Sequence, residues 1–327
     1  MSGNVPSHDV ATGNVPSGNV VAHVVRSGFV EGLHRGSVLT VGADGADVFA
    51  LGDPDAPVFP RSSNKPMQAV GMLRAGLDLA PADLALAAAS HSGEERHVTR
   101  VRELLAGAGL TEDDLGCPPS LPLNEDAARA ALIAGGPSRV LMNCSGKHTG
   151  MLLTCVLAGW PTRGYLDPDH PLQKVIRDTV EDLTGESVAA VGVDGCGAPL
   201  FALSLRGLAR AFRRLVRAPE GTPERVVADA MRANPGLVGG TGRDVTRLMT
   251  GIPGLLAKDG AEGVYAAALP SGAAAAVKIE DGNSRARVPV MVRELRRLGV
   301  AAPVLDELAE TPLLGGGRPV GAVRVAY

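Results

Sequence analysis

The strongest constraint on the fold is a segregation along the chain, with strand-like patterns at both ends and helical patterns filling the middle. Residues 20–51 alternate apolar and polar positions and carry Asp44-Gly45, a dipeptide suited to a tight turn, so they read as a β-hairpin. Strand-like runs return at 254–258, 263–268 and 273–279, and a last one lies at 319–326. Helical spacing marks 62–76, 81–89, 97–108, 124–134, 150–159, 167–185, 203–216, 222–233 and 284–298. A short apolar run at 187–193 reads as a buried strand ending in the turn Asp194-Gly195-Cys196. A sheet assembled from both termini around a helical insertion is α+β (mixed α/β), not a Rossmann repeat. The expected organisation is a disordered polar tail over 1–19, where GNVPS occurs twice, and a single domain with a helical insertion over 20–327.

Composition narrows the function. A net charge of -3 and 3% aromatic residues leave neither a basic field nor stacking platforms, which argues against nucleic acid or an anionic membrane as partner. The first twenty residues lack the basic and apolar regions of a signal peptide, and no run approaches a membrane span. Four irregularly spaced cysteines, Cys117, Cys144, Cys155 and Cys196, do not form a disulfide framework. A reducing, cytoplasmic location is expected.

One bias is informative. Five of the 32 basic residues are lysines, Lys65, Lys147, Lys174, Lys258 and Lys278, and the other 27 are arginines. Arginine cannot give up its proton in a protein, whereas a buried amine can become a base or a metal ligand. Lysines kept against such a bias are therefore candidates for chemistry.

Three segments supply reactive groups. Arg61-Ser62-Ser63-Asn64-Lys65-Pro66 contains Ser-x-x-Lys at a helix start, where residues three apart share a face and the Lys65 amine can reach Ser62. Backbone N–H groups there can receive an oxyanion. Ser90-His91-Ser92-Gly93-Glu94 offers a second hydroxyl or a capped turn, without the GxSxG of a nucleophile elbow. Asn143-Cys144-Ser145-Gly146-Lys147-His148 follows the strand-like 139–142 and imitates a phosphate loop, but lacks its upstream glycine. Cys144, Lys147 and His148, with Cys196 on another turn, instead offer metal donors. Lys258, among small residues after a strand, has room for a ligand, and Lys278 beside Glu280 and Asp281 reads as a structural ion pair.

The ordered set RSSNKPMQA, ASHSGEERH, NCSGKHTGM, YLDPDHPLQ, VDGCGAP and AVKIEDGN resembles the L-asparaginase II family of the Rhizobium etli type over residues 20–326. The resemblance implies a fold like serine β-lactamases and glutaminases, with an antiparallel sheet from both termini packed on a helical region. It implies hydrolysis of the L-asparagine side-chain amide to L-aspartate and ammonia, without an organic cofactor and in a homodimer. It also implies catalytic pairs Ser62 with Lys65 and Ser90 with Lys258, and zinc on Cys144, Lys147 and Cys196 tuning substrate binding. Arg61, Asn143, His148 and Asp194 would bind substrate, Asp194 reading its α-amino group. The alternatives are a β-lactamase-like or glutaminase-type serine amidohydrolase and a noncatalytic zinc-binding protein.

Overall fold

The computed structural model describes residues 19–327; the polar tail expected over 1–19 lies, but for Asn19, outside the described residues. The N-terminal part supplies β1 (Asn19–Arg26), β2 (Phe29–Val41), β3 (Asp47–Leu51) and β4 (Pro57–Val58). A 3-10 turn, Arg61–Asn64, then leads into α1 (Lys65–Arg74), followed by α2 (Pro81–Ala87), α3 (Glu95–Gly107), α4 (Glu125–Ala134), α5 (Ser145–Ala158) and α6 (Pro171–Thr184). Next come β5 (Val191–Val193), β6 (Pro199–Phe201), β7 (Leu203–Ser204), α7 (Leu205–Arg217), α8 (Pro223–Ala233), α9 (Pro235–Val238) and α10 (Asp244–Gly251). The chain returns through β8 (Leu256–Asp259), β9 (Val264–Ala268), β10 (Ala274–Ile279), α11 (Ser284–Arg297), α12 (Pro303–Glu307), β11 (Thr311–Gly315) and β12 (Arg318–Val325).

The architecture is α+β. The main sheet runs β11-β12-β1-β2-β10-β9-β8, with β3 also on β2, and every pairing is antiparallel. Strand β2 is the hinge between the termini. Its Phe29–Gly36 stretch pairs with β1 and its Gly36–Val41 stretch with β10, while β3 follows β1 along the other edge. The Asp44-Gly45 turn is present, with Asp44 Oδ1 accepting from Ala46 N at 3.0 Å. The hairpin between β1 and β2 turns instead on Ser27-Gly28, both at positive φ (50° and 83°), as a two-residue turn of the primed type requires.

Strand β9 and residues 274–277 of β10 are buried at every position, so both faces of the sheet are covered there. Their alanines let α7 and α11 pack closely on the strands. Helix α7 also packs against α6 and α8, joining the sheet to a helical layer in which α5 meets α1, α2 and α3. Close approach has a local cause: a Cβ on Gly146 would lie 2.5 Å from the Leu86 carbonyl, so only glycine lets α5 sit this near α2.

Two readings of the sequence are corrected. Residues 139–142 are not a strand but a turn, tightened by Met142 N to Arg139 O and by Ser145 Oγ bonding Val140 O at 2.8 Å. The apolar run at 187–193 is not a buried strand: only Val191–Val193 is extended, and Val193 is 80% exposed. Lys278 donates to the carbonyls of Glu262 and Ile279, at 2.5 and 2.9 Å, and burial lowers its amine while the charges of Glu262, Asp281 and Glu280 favour the ammonium. Among the described residues no helix is long and apolar enough to cross a membrane.

Candidate active site

Four chain segments meet where the sheet's β8 edge adjoins the helical layer. The first is the 3-10 turn, entered through Arg61, which holds the left-handed region at φ 50°. That conformation costs a non-glycine residue roughly 1–2 kcal/mol, and here it turns the Arg61 guanidinium to Asp194, whose Oδ1 accepts from Nε at 2.7 Å. Ser62 follows, half-buried, with no side-chain hydrogen bond to the described residues. Ser63, buried, donates to the Lys258 carbonyl at 3.2 Å and ties the turn to β8.

Lys65 opens α1 and is 1% exposed. Its amine lies 2.5 Å from the Ala89 carbonyl, 3.0 Å from Ser90 Oγ and 3.0 Å from Cys144 Sγ. Ser62 takes none of these bonds, so the structure brings Lys65 to the second serine of the expected set, not the first. A carbonyl can only accept, whereas a hydroxyl or thiol can also donate. Ser90 and Cys144 are thus the two partners of this amine able to donate to it as well as accept from it. Ser90 is held on the loop after α2 by its backbone N–H bond to Val238 O at 3.0 Å.

The turn before α5 and the β5–β6 hairpin carry the sulfur cluster. Cys144, Lys147 and Cys196 are each 3% exposed or less, and Lys147 Nζ lies 3.1 Å from Cys196 Sγ. Contact with Cys144 lowers the Cys196 thiol, aided by Lys147 and His148 against burial, and the same contact together with burial pushes the Cys144 thiol up. Burial alone would favour a neutral Lys147, but Cys196, Cys144 and Asp194 outweigh it and keep the ammonium. Asn143 is half-buried and accepts from Cys144 Sγ at 3.3 Å.

His148, fully buried, has Nδ1 at 2.6 Å from the Tyr165 hydroxyl. The Tyr165 hydroxyl also accepts from Gly116 N at 2.8 Å. The His148 Nε2 senses the Cys196 charge but has no partner in hydrogen-bond geometry.

Lys258 on β8 is 0% exposed. Its amine bonds the Asp259 carbonyl at 2.8 Å and Asp259 Oδ1 at 2.7 Å, and no contact with Ser90 is formed. Burial lowers Lys258 to about 8, with Asp259 opposing and Lys65 and Arg243 adding to the fall. Asp259 itself would be raised by burial, yet Lys258, Arg243 and Arg287 hold it well below the carboxylate range.

The sequence reading missed Asp259, Arg243 and Tyr165. Asp259 carried a signal, adjacency to a candidate lysine, and Tyr165 opened the motif YLDPDHPLQ; Arg243 carried none, being an ordinary member of a loop. A cavity of about 590 Å³ touches the site at Arg61 and is lined also by Phe59, Val193, Leu200, Glu262 and Lys278. Glu262 reaches Arg61 at 3.5 Å from a second left-handed position, φ 54°.

The arrangement can do acyl-transfer chemistry: two hydroxyls and two buried amines for nucleophile and proton traffic, and an Arg-Asp pair for a zwitterionic ligand. Among the described residues no three His, Cys, Asp or Glu side chains converge to hold a metal; the sulfur cluster reaches three donors only with Lys147. No individually curated protein matches the chain significantly. The sequence pattern of the L-asparaginase II family matches residues 22–325, and the chain therefore belongs to that family of asparaginase-type amidohydrolases.

Proposed function

We propose that the protein hydrolyses the side-chain amide of L-asparagine to L-aspartate and ammonia through a serine ester. The observation that carries this reading is the buried Lys65 amine at 3.0 Å from Ser90 Oγ, three residues beyond a half-buried Ser62. Ser62 is the attacking hydroxyl: it alone of the two serines is accessible and unengaged. Its oxygen bonds the amide carbon, and the Ser62 backbone N–H at the start of the 3-10 turn stabilises the oxyanion. The proton from Ser62 passes into the Lys65–Ser90 pair. The carbon–nitrogen bond then breaks and ammonia leaves with a proton from Lys258; water attacks the ester carbon, giving its proton to Lys258, and the carbon–oxygen bond breaks as the Lys65–Ser90 pair returns its proton to Ser62. Arg61 and Asp194 bind the substrate's charged end, and Asn143 and His148 line the site.

Zinc fits the donor set. Two buried sulfurs and an amine lie together, with a buried His148 Nε2 that lacks a hydrogen-bond partner beside them. Cys144, Lys147 and Cys196 would hold the ion, which when bound would supply a fixed positive charge next to the substrate. Lys147 must bind as the free amine.

A second reading makes Ser90 the first nucleophile, favoured by its direct bond to Lys65. Mass spectrometry after trapping with an acylating asparagine analogue separates the two: label on Ser62 supports the first, and label on Ser90 with Ser62 unmodified overturns it. Absence of ammonia from L-asparagine, with L-glutamine and D-asparagine as comparisons, would defeat both.

A further inference from the structure

We propose that Asp259 is a positioning residue for the Lys258 amine, holding two of its three N–H directions so that the lone pair is confined to the one that remains. The two bonds come from one residue, its carbonyl at 2.8 Å and its carboxylate at 2.7 Å. Both partners can only accept. When Lys258 loses a proton, its two remaining hydrogens stay with Asp259, and the lone pair occupies the third direction. Lys65 lacks this device, since two of its three partners can donate as well as accept.

Asp259 is in turn fixed from outside. Its Oδ2 accepts from Arg243 Nη2 at 2.6 Å and lies 3.7 Å from Arg287 Nη2. Arg287 is anchored by the Gly260 carbonyl at 2.6 Å and by Asp244 at 3.2 Å, and its guanidinium lies 5.4 Å from the Tyr265 ring centroid. The carboxylate is 4% exposed, so this clamp works in a dry environment where fixed charges act strongly.

The groups that face Lys258 are few. Beyond Asp259 on its own strand, α1 presents Lys65 and the segment before α10 presents Arg243; behind Asp259 lie Arg287 of α11, Asp244 of α10 and Tyr265 of β9. The 3-10 turn offers the neutral Ser63 hydroxyl, and α8 offers Arg232, engaged with Asp229 and the Gly254 carbonyl. Asp259 favours the ammonium, and Arg243 disfavours it.

The proposal rests on the reading above only in that Lys258 handles a proton during turnover. With five lysines in the chain, lysine labelled with carbon-13 at Cε gives a spectrum in which Lys258 is identified by its loss in Lys258→Met. Its titration midpoint should fall by about one pH unit in Asp259→Asn and rise by about as much in Arg243→Gln. The matching limb of kcat/KM for ammonia release from L-asparagine should move the same two ways. Plateau kcat should fall about tenfold or more in Asp259→Asn, because the amine is no longer oriented. Midpoints that coincide in all three proteins would overturn the proposal, since a merely structural Asp259 would not move them in opposite directions. If Asp259→Asn does not fold, Arg243→Gln, 24% exposed at that side chain, decides alone. Opposite shifts in a protein that releases no ammonia would leave the positioning role standing and defeat the functional reading. Ammonia release with unmoved midpoints would do the reverse.

Discussion

The Lys65 amine reaches Ser90 Oγ at 3.0 Å across 25 residues of chain, while Ser62, three residues away, takes none of its hydrogen bonds. A sequence motif thus names the participants, and packing decides their pairing. On this arrangement Lys65 serves both serines, and its removal should be more damaging than that of either hydroxyl's neighbours. Lys65→Met should lower ammonia release by about a thousandfold or more. Its cost in stability should stay near 1–3 kcal/mol, the penalty of leaving the Ala89 carbonyl unpaired. An active Lys65→Met protein, judged by steady-state assay beside a thermal melt, would remove this amine from the reaction.

Arginine should not replace the buried amines at Lys65, Lys147 or Lys258. Each is 1% exposed or less, and arginine keeps the charge without being able to release it. Lys174→Arg, at a side chain 60% exposed beside Asp169, should leave kcat/KM unchanged. The four variants assayed together give the contrast, and a working Lys65→Arg or Lys258→Arg would contradict the proton roles.

The pH dependence of stability follows from Lys258. Its folded value of about 8 lies below the ordinary lysine value of 10.5, so between these limits the unfolded chain binds more protons than the folded one. Stability then rises with pH across about 8 to 10.5, and below 8 the full cost of burying the ammonium is present. Lys258→Met should therefore lose the rise in stability across that window while abolishing turnover, on top of a pH-independent cost from leaving the Asp259 carbonyl and carboxylate without this partner. Urea titrations at several pH values check this; a variant less stable at neutral pH than at pH 10, relative to wild type, would refute the sign.

Protein prepared with zinc under reducing conditions should hold about one ion per chain, and Cys196→Ala should not. Elemental analysis reads this directly. A zinc-free, metal-replete preparation would end the assignment of Cys144, Lys147 and Cys196 as ligands.

The joined sheet has its own test at Gly36, where β2 passes from β1 to β10. An added Cβ would lie 2.3 Å from the Lys278 carbonyl, a backbone atom that cannot give way, so Gly36→Ala should cost about 3 kcal/mol or more. Gly28→Ala, with open space around it, should cost about 1 kcal/mol from its positive φ alone. A denaturation midpoint for Gly36→Ala no lower than for Gly28→Ala would contradict the pairing.

By itself the sequence determined the class of fold and named candidate residues for the site. Strand periodicity at both ends brackets helical periodicity between them, and solvent and core impose those periods locally. The scarcity of lysine marked Lys65, Lys147 and Lys258 before any contact was known, because a deprotonable amine has no arginine substitute. What tertiary structure alone decided was who meets whom. Lys65 found Ser90 because α2 packs beside α1, Lys258 was claimed by Asp259, and Arg243 and Tyr165 acquired roles from neighbours distant in sequence. Residues 139–142 looked like a strand yet closed into a turn, since Ser145 and Arg139 compete for their backbone through contacts that no periodicity records. Hydrogen-bond partners and desolvation depend on what is packed around a group, and that is a property of the folded chain and not of its order.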